Sequence, residues 1–217
     1  MAMQKKDFIE IEFTGRVKDG ELFDSNIKED LEKANLNLRS EPFIFCLGEG
    51  MFLKGIEDFL IGKEIGKYEI GLEPEEAFGK RSSQLIQIVP MKFFAEQKIR
   101  PVQGMVLNFD SRIGRVLTVS GGRVIVDFNN PLAGKQVVYK INVLRKVEDL
   151  NEKIKSFINF LFKKDFPFEV KESKLILKME KSLSNFVKLF EDKFKEIFNL
   201  NLEVLENDKE EISKDNS

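Results

Sequence analysis

The chain has 217 residues and nearly balanced charge, 35 Lys and Arg against 37 Asp and Glu, so its overall charge gives no attraction to nucleic acid or to an acidic membrane. It contains no histidine, the commonest general base and metal ligand, and its single cysteine excludes an intramolecular disulfide. We therefore expect no metal and no cofactor, because a zinc or iron site would need carboxylates alone.

The sequence also bears on where the protein works. Its first residues lack the apolar stretch of a signal peptide, and no segment approaches the roughly 20 apolar residues needed to cross a bilayer. Together with the lone Cys46 inside an apolar strand, these features predict a soluble protein of a reducing compartment, the cytoplasm.

The first 80 residues predict strands around one short helix. Alternation of apolar and polar residues over 7–17 predicts a half-buried strand, and Asp19-Gly20 predicts a turn. The polar segment 26–38 predicts a short surface helix or loop. An apolar strand over 42–47 precedes a glycine-bounded helix near 53–61 and a strand over 67–72.

Residues 81–129 differ from the preceding segment in their pattern of short apolar runs and turn residues, and they predict a small all-β insert with its own core. Four short β runs, at 84–89, 105–109, 113–120 and 123–128, are separated by proline and glycine. Residues 92–95 predict a helical turn. An alternating strand at 136–143 then resumes the fold that the insert interrupts.

From Leu150 the apolar residues recur at helical spacing as far as Phe162, and Pro167 is expected to stop this helix. Residues 168–179 predict a strand, Ser182 is expected to cap a second helix reaching Phe198, and 201–205 predict a last strand. The charged residues 206–217 predict disorder. A unit of roughly 55 residues is small to be stable alone. We therefore expect a homodimer through this unit, with client binding as the alternative.

The order of motifs from residue 7 to residue 147 resembles the FKBP-type peptidyl-prolyl cis-trans isomerases, in particular the SlyD-like branch with an insert-in-flap domain and its long archaeal type. The motifs that carry the resemblance are Phe13-Thr14-Gly15, Gly20-Glu21-Leu22-Phe23-Asp24-Ser25, Pro42-Phe43-Ile44-Phe45, Leu47-Gly48-Glu49-Gly50, Gly55-Ile56-Glu57, Ala77-Phe78-Gly79 and Asn130-Pro131-Leu132-Ala133-Gly134-Lys135. The resemblance implies an α+β fold in three parts. These are an antiparallel half-barrel around a short helix (1–80 plus 130–148), an insert-in-flap chaperone domain (81–129) and a C-terminal α+β domain (149–205).

The resemblance further implies a proline pocket on the concave face of the half-barrel. The catalytic positions carried over are Asp24, Phe13, Phe78 and Tyr139, and the substrate-binding positions are Phe23, Phe43, Phe52, Leu53, Ile56 and Leu132. Asp24 would polarise the twisted amide, and the Leu53 N–H would anchor a substrate carbonyl. Three positions depart from the family pattern: Phe13 and Phe78 stand where tyrosines are usual, and Ile56 where tryptophan is common. The two lost hydroxyls remove hydrogen bonds worth about 0.5–1.5 kcal/mol net each.

The function implied is a peptidyl-prolyl cis-trans isomerase, without a covalent intermediate, that is also a folding chaperone for unfolded proteins with X-Pro bonds. The chaperone surface would comprise Leu85, Ile88, Val89, Met91, Phe93, Phe94 and Met105, which could equally fill the core of the insert. Two alternatives stay open, a holdase without turnover and an adaptor that docks a partner. A nickel-handling role is unsupported because the end of the chain has no histidine or cysteine.

Overall fold

The computed structural model describes residues 1–38, 40–110 and 112–207. Its strands in chain order are β1 (Phe8–Val17), β2 (Leu22–Ser25), β3 (Phe43–Cys46), β4 (Lys67–Leu72), β5 (Ile86–Pro90), β6 (Val106–Phe109), β7 (Arg112–Ser120), β8 (Arg123–Asp127), β9 (Val137–Lys146), β10 (Phe168–Lys171), β11 (Lys174–Glu180) and β12 (Asn201–Asn207). Its helices are α1 (Lys28–Lys33), α2 (Lys54–Leu60), α3 (Met91–Glu96), α4 (Leu150–Phe162), α5 (Lys181–Lys188) and α6 (Glu191–Phe198). Among these described elements no helix is long and apolar enough to cross a membrane.

Strand β1 is the centre of a five-stranded antiparallel sheet. It pairs with β9 along one edge, and along the other with β3 near its start and β2 near its end; β4 lies outside β9. Helix α2 buries Ile56 and Leu60 completely in the core beneath this sheet. Because β9 follows the insert in sequence, the sheet is completed only after the insert has been made. The predicted α+β fold, with an interrupted sheet around a short helix, is confirmed.

The insert forms a four-stranded antiparallel sheet in the order β5-β8-β7-β6. All four predicted β runs are strands, with ends that differ by at most two residues, and the predicted helical turn is α3. Phe94, Val116, Val124 and Val126 form its core, which is separate from the core of the first sheet. The two connecting segments are joined by Asn129, whose side chain accepts from the Ser82 N–H (2.8 Å) and donates to the Ser82 carbonyl (2.9 Å).

Three sequence expectations for the C-terminal unit are wrong. The strand expected over 168–179 is a hairpin of β10 and β11, because Glu172 turns the chain with φ +51°. The single helix expected up to Phe198 is broken at Leu189 and Phe190, and the break lets α5 and α6 both contact β12. Ser182 does not cap α5, which begins one residue earlier; its hydroxyl donates to the Glu180 side chain (3.4 Å).

The ends of two C-terminal elements also differ from expectation. Helix α4 has the expected residues and ends at Phe162; its C-cap is Lys163, which adopts φ +53°, four residues before Pro167. Strand β12 pairs in parallel with β11 and continues to Asn207, so Glu206 and Asn207 are strand residues and not part of a disordered tail. The rest of the tail expected to be disordered, 208–217, lies outside the described residues.

The C-terminal unit and the first sheet share one continuous buried core. Helix α4 contacts β3, and the Phe198 ring of α6 lies 5.6 Å from the Phe8 ring of β1, measured between centroids. Phe157 of α4 and Phe194 of α6 are buried against each other, with centroids 5.4 Å apart. This contact gives the small C-terminal unit buried apolar surface within its own chain.

Candidate functional site

Seven aromatic rings from six segments of the chain form one contiguous cluster around the first sheet. They are Phe13, Phe23, Phe43, Phe45, Phe52, Phe78 and Tyr139. The centroids of Phe13 and Phe52 are 5.0 Å apart, and those of Phe52 and Tyr139 are 5.7 Å apart. Such tilted and edge-to-face contacts are the arrangements that aromatic pairs prefer. The cluster therefore has a fixed shape.

The cluster has a buried floor and a half-buried rim. Ile56 and Phe45 are fully buried, whereas Phe23, Phe43, Phe52 and Phe78 are half-buried. The structure thus brings together the predicted pocket residues, and it adds Phe45, which sequence reasoning missed because it reads as ordinary core. Leu132 is the exception: it lies half-buried in the turn after Pro131 and is not packed against the cluster.

Gly15 creates the space at the centre of the site. In the register of the sheet it pairs with Asp24 of β2 on one side and with Tyr139 of β9 on the other, so these three residues form one row across three strands. A Cβ atom on Gly15 would lie 2.8 Å from the Tyr139 ring and 3.1 Å from the Phe23 ring. Glycine is therefore required here by the close approach of two aromatic rings.

Replacing Gly15 with alanine is expected to displace the Tyr139 ring and to open the row between Asp24 and Tyr139. Overpacking of this kind costs about 1–3 kcal/mol. We expect a lower denaturation midpoint, together with a loss of the isomerase activity that the resemblance implies, measured on a proline peptide. Gly71→Ala is the matched control, because a Cβ atom there meets nothing within 4 Å. Equal stability of the two variants would contradict this view of the site.

Asp24 supplies the negative charge of the site. Burial raises the pKa of its carboxyl above the usual value, and a backbone hydrogen bond from Ser25 offsets part of this rise. Burial, and then the nearby Asp24 charge, raise the pKa of the Tyr139 hydroxyl. Tyr139 is therefore a protonated hydroxyl at neutral pH. The pair gives the aromatic cluster one acceptor and one hydroxyl donor.

A buried polar network fixes Phe23 and Asp24 at the aromatic cluster. The Asn26 side chain accepts from the Phe13 N–H (2.7 Å) and donates to the Ile11 carbonyl (3.0 Å), and the Ser25 hydroxyl donates to the Phe13 carbonyl (2.9 Å). These bonds tie the end of β2 to β1. They also give the buried side chains of Ser25 and Asn26 the hydrogen-bond partners that buried polar groups need. Sequence reasoning missed this role of Asn26, because the residue reads as the start of a polar loop.

Glu57 organises the loop that carries Phe52 and Leu53, and sequence reasoning missed it as well. Its carboxylate is buried and accepts three backbone N–H groups, from Gly48 (2.8 Å), Gly50 (3.1 Å) and Phe52 (2.7 Å). The two glycines adopt φ +85° and +69°, which only glycine reaches easily. The sequence feature that could have indicated this role is an acidic residue in the first turn of a helix that follows two glycines.

Leu53 lies at the end of this loop, in extended conformation at the N-cap of α2. Its backbone N–H, unlike that of Phe52, has no acceptor among the described residues. An N–H in this position, beside half-buried aromatic rings, can bind a carbonyl oxygen. Over residues 1–38, 40–110 and 112–207, no group of three or more Cys, Asp or Glu could hold a metal ion.

The insert exposes some of the residues predicted for its chaperone surface and buries others. Ile88 is 62% exposed, Leu85 and Phe93 are each 36% exposed, and Val89, Met91 and Met105 are partly buried against the core of the insert. The expectation for Phe94 is wrong, because its side chain is fully buried in that core. Sequence reasoning missed four further exposed apolar residues, Val102, Val106, Ile113 and Val119.

Several of the exposed apolar residues of the insert lie in two places. Ile88 of β5 pairs with Ile125 of β8. On β6, Asn108 lies two residues beyond Val106 and pairs with Ile113 of β7. Because side chains alternate between the two faces along a strand, Ile88, Val106 and Ile113 lie on the sheet face opposite the core. A separate groove of about 760 Å³ is lined by Met91, Ala95, Ile99, Arg100, Pro101, Val102, Gln103, Thr118 and Val119. The insert therefore offers apolar surface that is separate from the aromatic cluster.

Comparison with known proteins gives two family matches. The profile described as FKBP-type peptidyl-prolyl cis-trans isomerase matches residues 1–95, and the profile described as FKBP26, IF domain, matches residues 87–132. A short-type peptidyl-prolyl cis-trans isomerase of Methanocaldococcus jannaschii is 30% identical over 145 residues, which cover 65% of this chain and 92% of that protein. The FKBP-type 16 kDa peptidyl-prolyl cis-trans isomerase of Escherichia coli is 30% identical over 66% of this chain and 93% of its own length. SlyD of Haemophilus influenzae is 29% identical over 168 residues, which cover 71% of this chain and 77% of that protein.

Proposed function

This chain belongs to the FKBP-type peptidyl-prolyl cis-trans isomerases, and we propose that it also acts as a folding chaperone, whose insert captures unfolded chains and delivers them to the aromatic pocket. The observation that carries the proposal is the coexistence of two apolar surfaces in one chain. One is the ring cluster around Asp24, and the other is the exposed apolar surface of the insert. The clients are unfolded or partly folded proteins that contain X-Pro bonds.

The chemistry needs no nucleophile. Rotation about an X-Pro bond costs about 18–20 kcal/mol because twisting the amide removes its resonance. The twisted amide separates less charge between oxygen and nitrogen than the planar amide. Transfer from water into an apolar pocket therefore costs the twisted form less free energy than the planar form. Binding that is stronger for the twisted state than for the planar state lowers the barrier. Rings that are already fixed against one another need no reorganisation when the proline enters.

Each part of the pocket has a role in this proposal. The proline ring lies between the half-buried rings of Phe23, Phe52 and Phe78, above the buried Ile56, and the Leu53 N–H anchors a substrate carbonyl. The Asp24 carboxylate polarises the twisted group. With Phe13 and Phe78 in place of tyrosines, the apolar contacts carry more of the binding than hydroxyl groups do.

Replacing Asp24 with asparagine is expected to lower isomerase activity and to raise stability at neutral pH. We expect kcat/KM on a proline tetrapeptide to fall by about tenfold, because one electrostatic contact of the twisted state is lost. Since the folded-state pKa of Asp24 is raised, its contribution to stability is present at low pH and is lost as the pH rises through that pKa. The ionised carboxylate thus costs stability at neutral pH, and the variant is expected to be the more stable protein there.

The matching pH profile is measured on the wild-type chain. Peptide isomerase activity is expected to fall on acidification, at a pH above the ordinary titration range of an aspartate, as the Asp24 carboxylate is protonated. The activity of the asparagine variant should be flat over the same range. A variant that loses both activity and stability at neutral pH would mean that Asp24 is a structural residue.

Capture on the insert explains why isomerisation and chaperoning belong together. Two weak sites on one chain raise the local concentration of the second ligand, so a client held by the insert meets the pocket far more often than a free chain does. A holdase that binds without turnover would suppress aggregation but leave proline-limited folding slow. An adaptor would form one specific complex that survives in salt.

Dimerisation through the C-terminal unit stays a prediction, with Phe186 (51% exposed) and Leu189 (77% exposed) as the apolar residues that could form the contact.

A further inference from the structure

The loop between β3 and α2, residues 47–53, is held from the side of the C-terminal unit as well as from within. Its inner anchor is Glu57, described above. On its outer side lies Glu49, whose side chain is only 7% exposed. Burial, and then the charges of Glu49 and Glu57, raise the pKa of the Cys46 thiol at the end of β3 to about 12.

The cation that balances Glu49 comes from helix α6. Lys193 Nζ lies 2.8 Å from Glu49 Oε2 and 3.3 Å from Glu196 Oε2. The hydrogen bond to Glu49 is the largest cause of the raised pKa of Lys193. A second ion pair, between Lys6 and Glu196 (3.1 Å), ties the same helix to the segment before β1.

Helix α6 is a fixed support for this contact. Phe194, next to Lys193, is fully buried, and its ring meets that of Phe157 of α4. One turn further, Phe198 contacts Phe8 of β1. The position of the Lys193 backbone is thus set by the core that the C-terminal unit shares with the first sheet.

We propose that the C-terminal unit positions the substrate-binding loop of the isomerase through the Lys193–Glu49 ion pair. An almost buried carboxylate without its cation costs free energy and is driven towards water. Movement of Glu49 would displace the neighbouring Gly50 and Phe52 from Glu57, because the loop is short and turns at two glycines. Lys193 is a positioning residue in this scheme, since it acts on the pocket through Glu49. The inference rests on the pocket proposed above.

Replacing Lys193 with methionine in the full chain tests the proposal. We expect KM for a proline tetrapeptide to rise by about threefold to tenfold with kcat little changed, because the loop supplies binding to ground state and transition state alike. Hydrogen exchange of the Gly48, Gly50 and Phe52 amides should become faster. Lys193→Arg should restore both values, and Glu49→Gln in the Lys193→Met background should bring them back towards those of the wild type, because a neutral side chain is no longer driven towards water.

Lys195→Met is the matched control, because Lys195 Nζ donates to Asn201 Oδ1 (2.9 Å) inside the C-terminal unit. It should leave KM and the exchange of the loop amides as in the wild type. Unchanged KM and exchange in Lys193→Met would overturn the proposal, and so would an equal effect of the control. If the wild type itself fails to isomerise the peptide, the proposed pocket fails, and the exchange of the loop amides still decides whether Lys193 holds the loop.

Discussion

Replacing Glu57 with alanine is expected to destabilise the protein by about 3–5 kcal/mol and to abolish isomerase activity. The change leaves the N–H groups of Gly48, Gly50 and Phe52 without their acceptor, the side chain of a residue that is only 2% exposed. These donors are partly buried, and a buried donor left without its acceptor costs about 1–3 kcal/mol. The loop that carries Phe52 and Leu53 would lose its shape before the rest of the fold does. Chemical denaturation and a proline-peptide assay measure the two effects.

Two variants calibrate this prediction. Glu57→Gln keeps one acceptor oxygen and should lie between the wild type and alanine in both stability and activity. Asp58→Ala lies next to it on α2 and removes only an exposed ion pair with Lys54, so we expect an effect within about 0.5 kcal/mol. If Glu57→Ala were as stable as Asp58→Ala, the buried carboxylate would not be holding the loop.

Removal of the insert is the second change with a large expected effect. Residues 82–129 can be replaced by a short turn, because the segments on either side lie together: the Gly134 N–H donates to the Gly79 carbonyl (2.8 Å). Activity on a tetrapeptide should stay within about threefold of the wild type, since a short peptide gains nothing from the second site. Acceleration of the refolding of a protein substrate should fall on the order of 100-fold, because capture no longer raises the local concentration of the client.

A full-length variant separates loss of surface from loss of the insert. Ile88→Lys combined with Ile113→Lys changes two side chains that are 62% and 67% exposed, so the core of the insert stays intact. This variant should lose part of the effect on protein refolding while its denaturation midpoint stays close to that of the wild type. If the deletion variant accelerated protein refolding as well as the full chain does, the insert would not be delivering clients.

The strands and the short helix could be predicted because local patterns decide them. Alternation along β1 and β9, and glycines around α2, indicate the interrupted sheet without any knowledge of contacts. The turn at Glu172 carries no glycine, and the break at Leu189 and Phe190 interrupts a continuous apolar period, so neither has a local signal. Both arise from how the helices and strands of the C-terminal unit pack on one another.

The aromatic cluster was predictable in its rings, but the side chains that hold it in place were not. Phe13, Phe52 and Tyr139 were found through a resemblance of ordered motifs, and the structure brings them into contact. Glu57 and Asn26 act through backbone groups, which leave no pattern of side chains in the sequence. The partner of Glu49 is 144 residues away in the chain, and no sequence spacing relates the two.

The most direct test of the account is the refolding of a protein whose slow phase is a trans-to-cis proline step, followed with catalytic amounts of the full chain and of Asp24→Ala. The account predicts that the full chain accelerates the slow phase in proportion to its concentration, and that the variant loses most of this effect. An unchanged slow phase, with aggregation of a denatured client still suppressed, would contradict it. The chain would then be a holdase built on an isomerase fold.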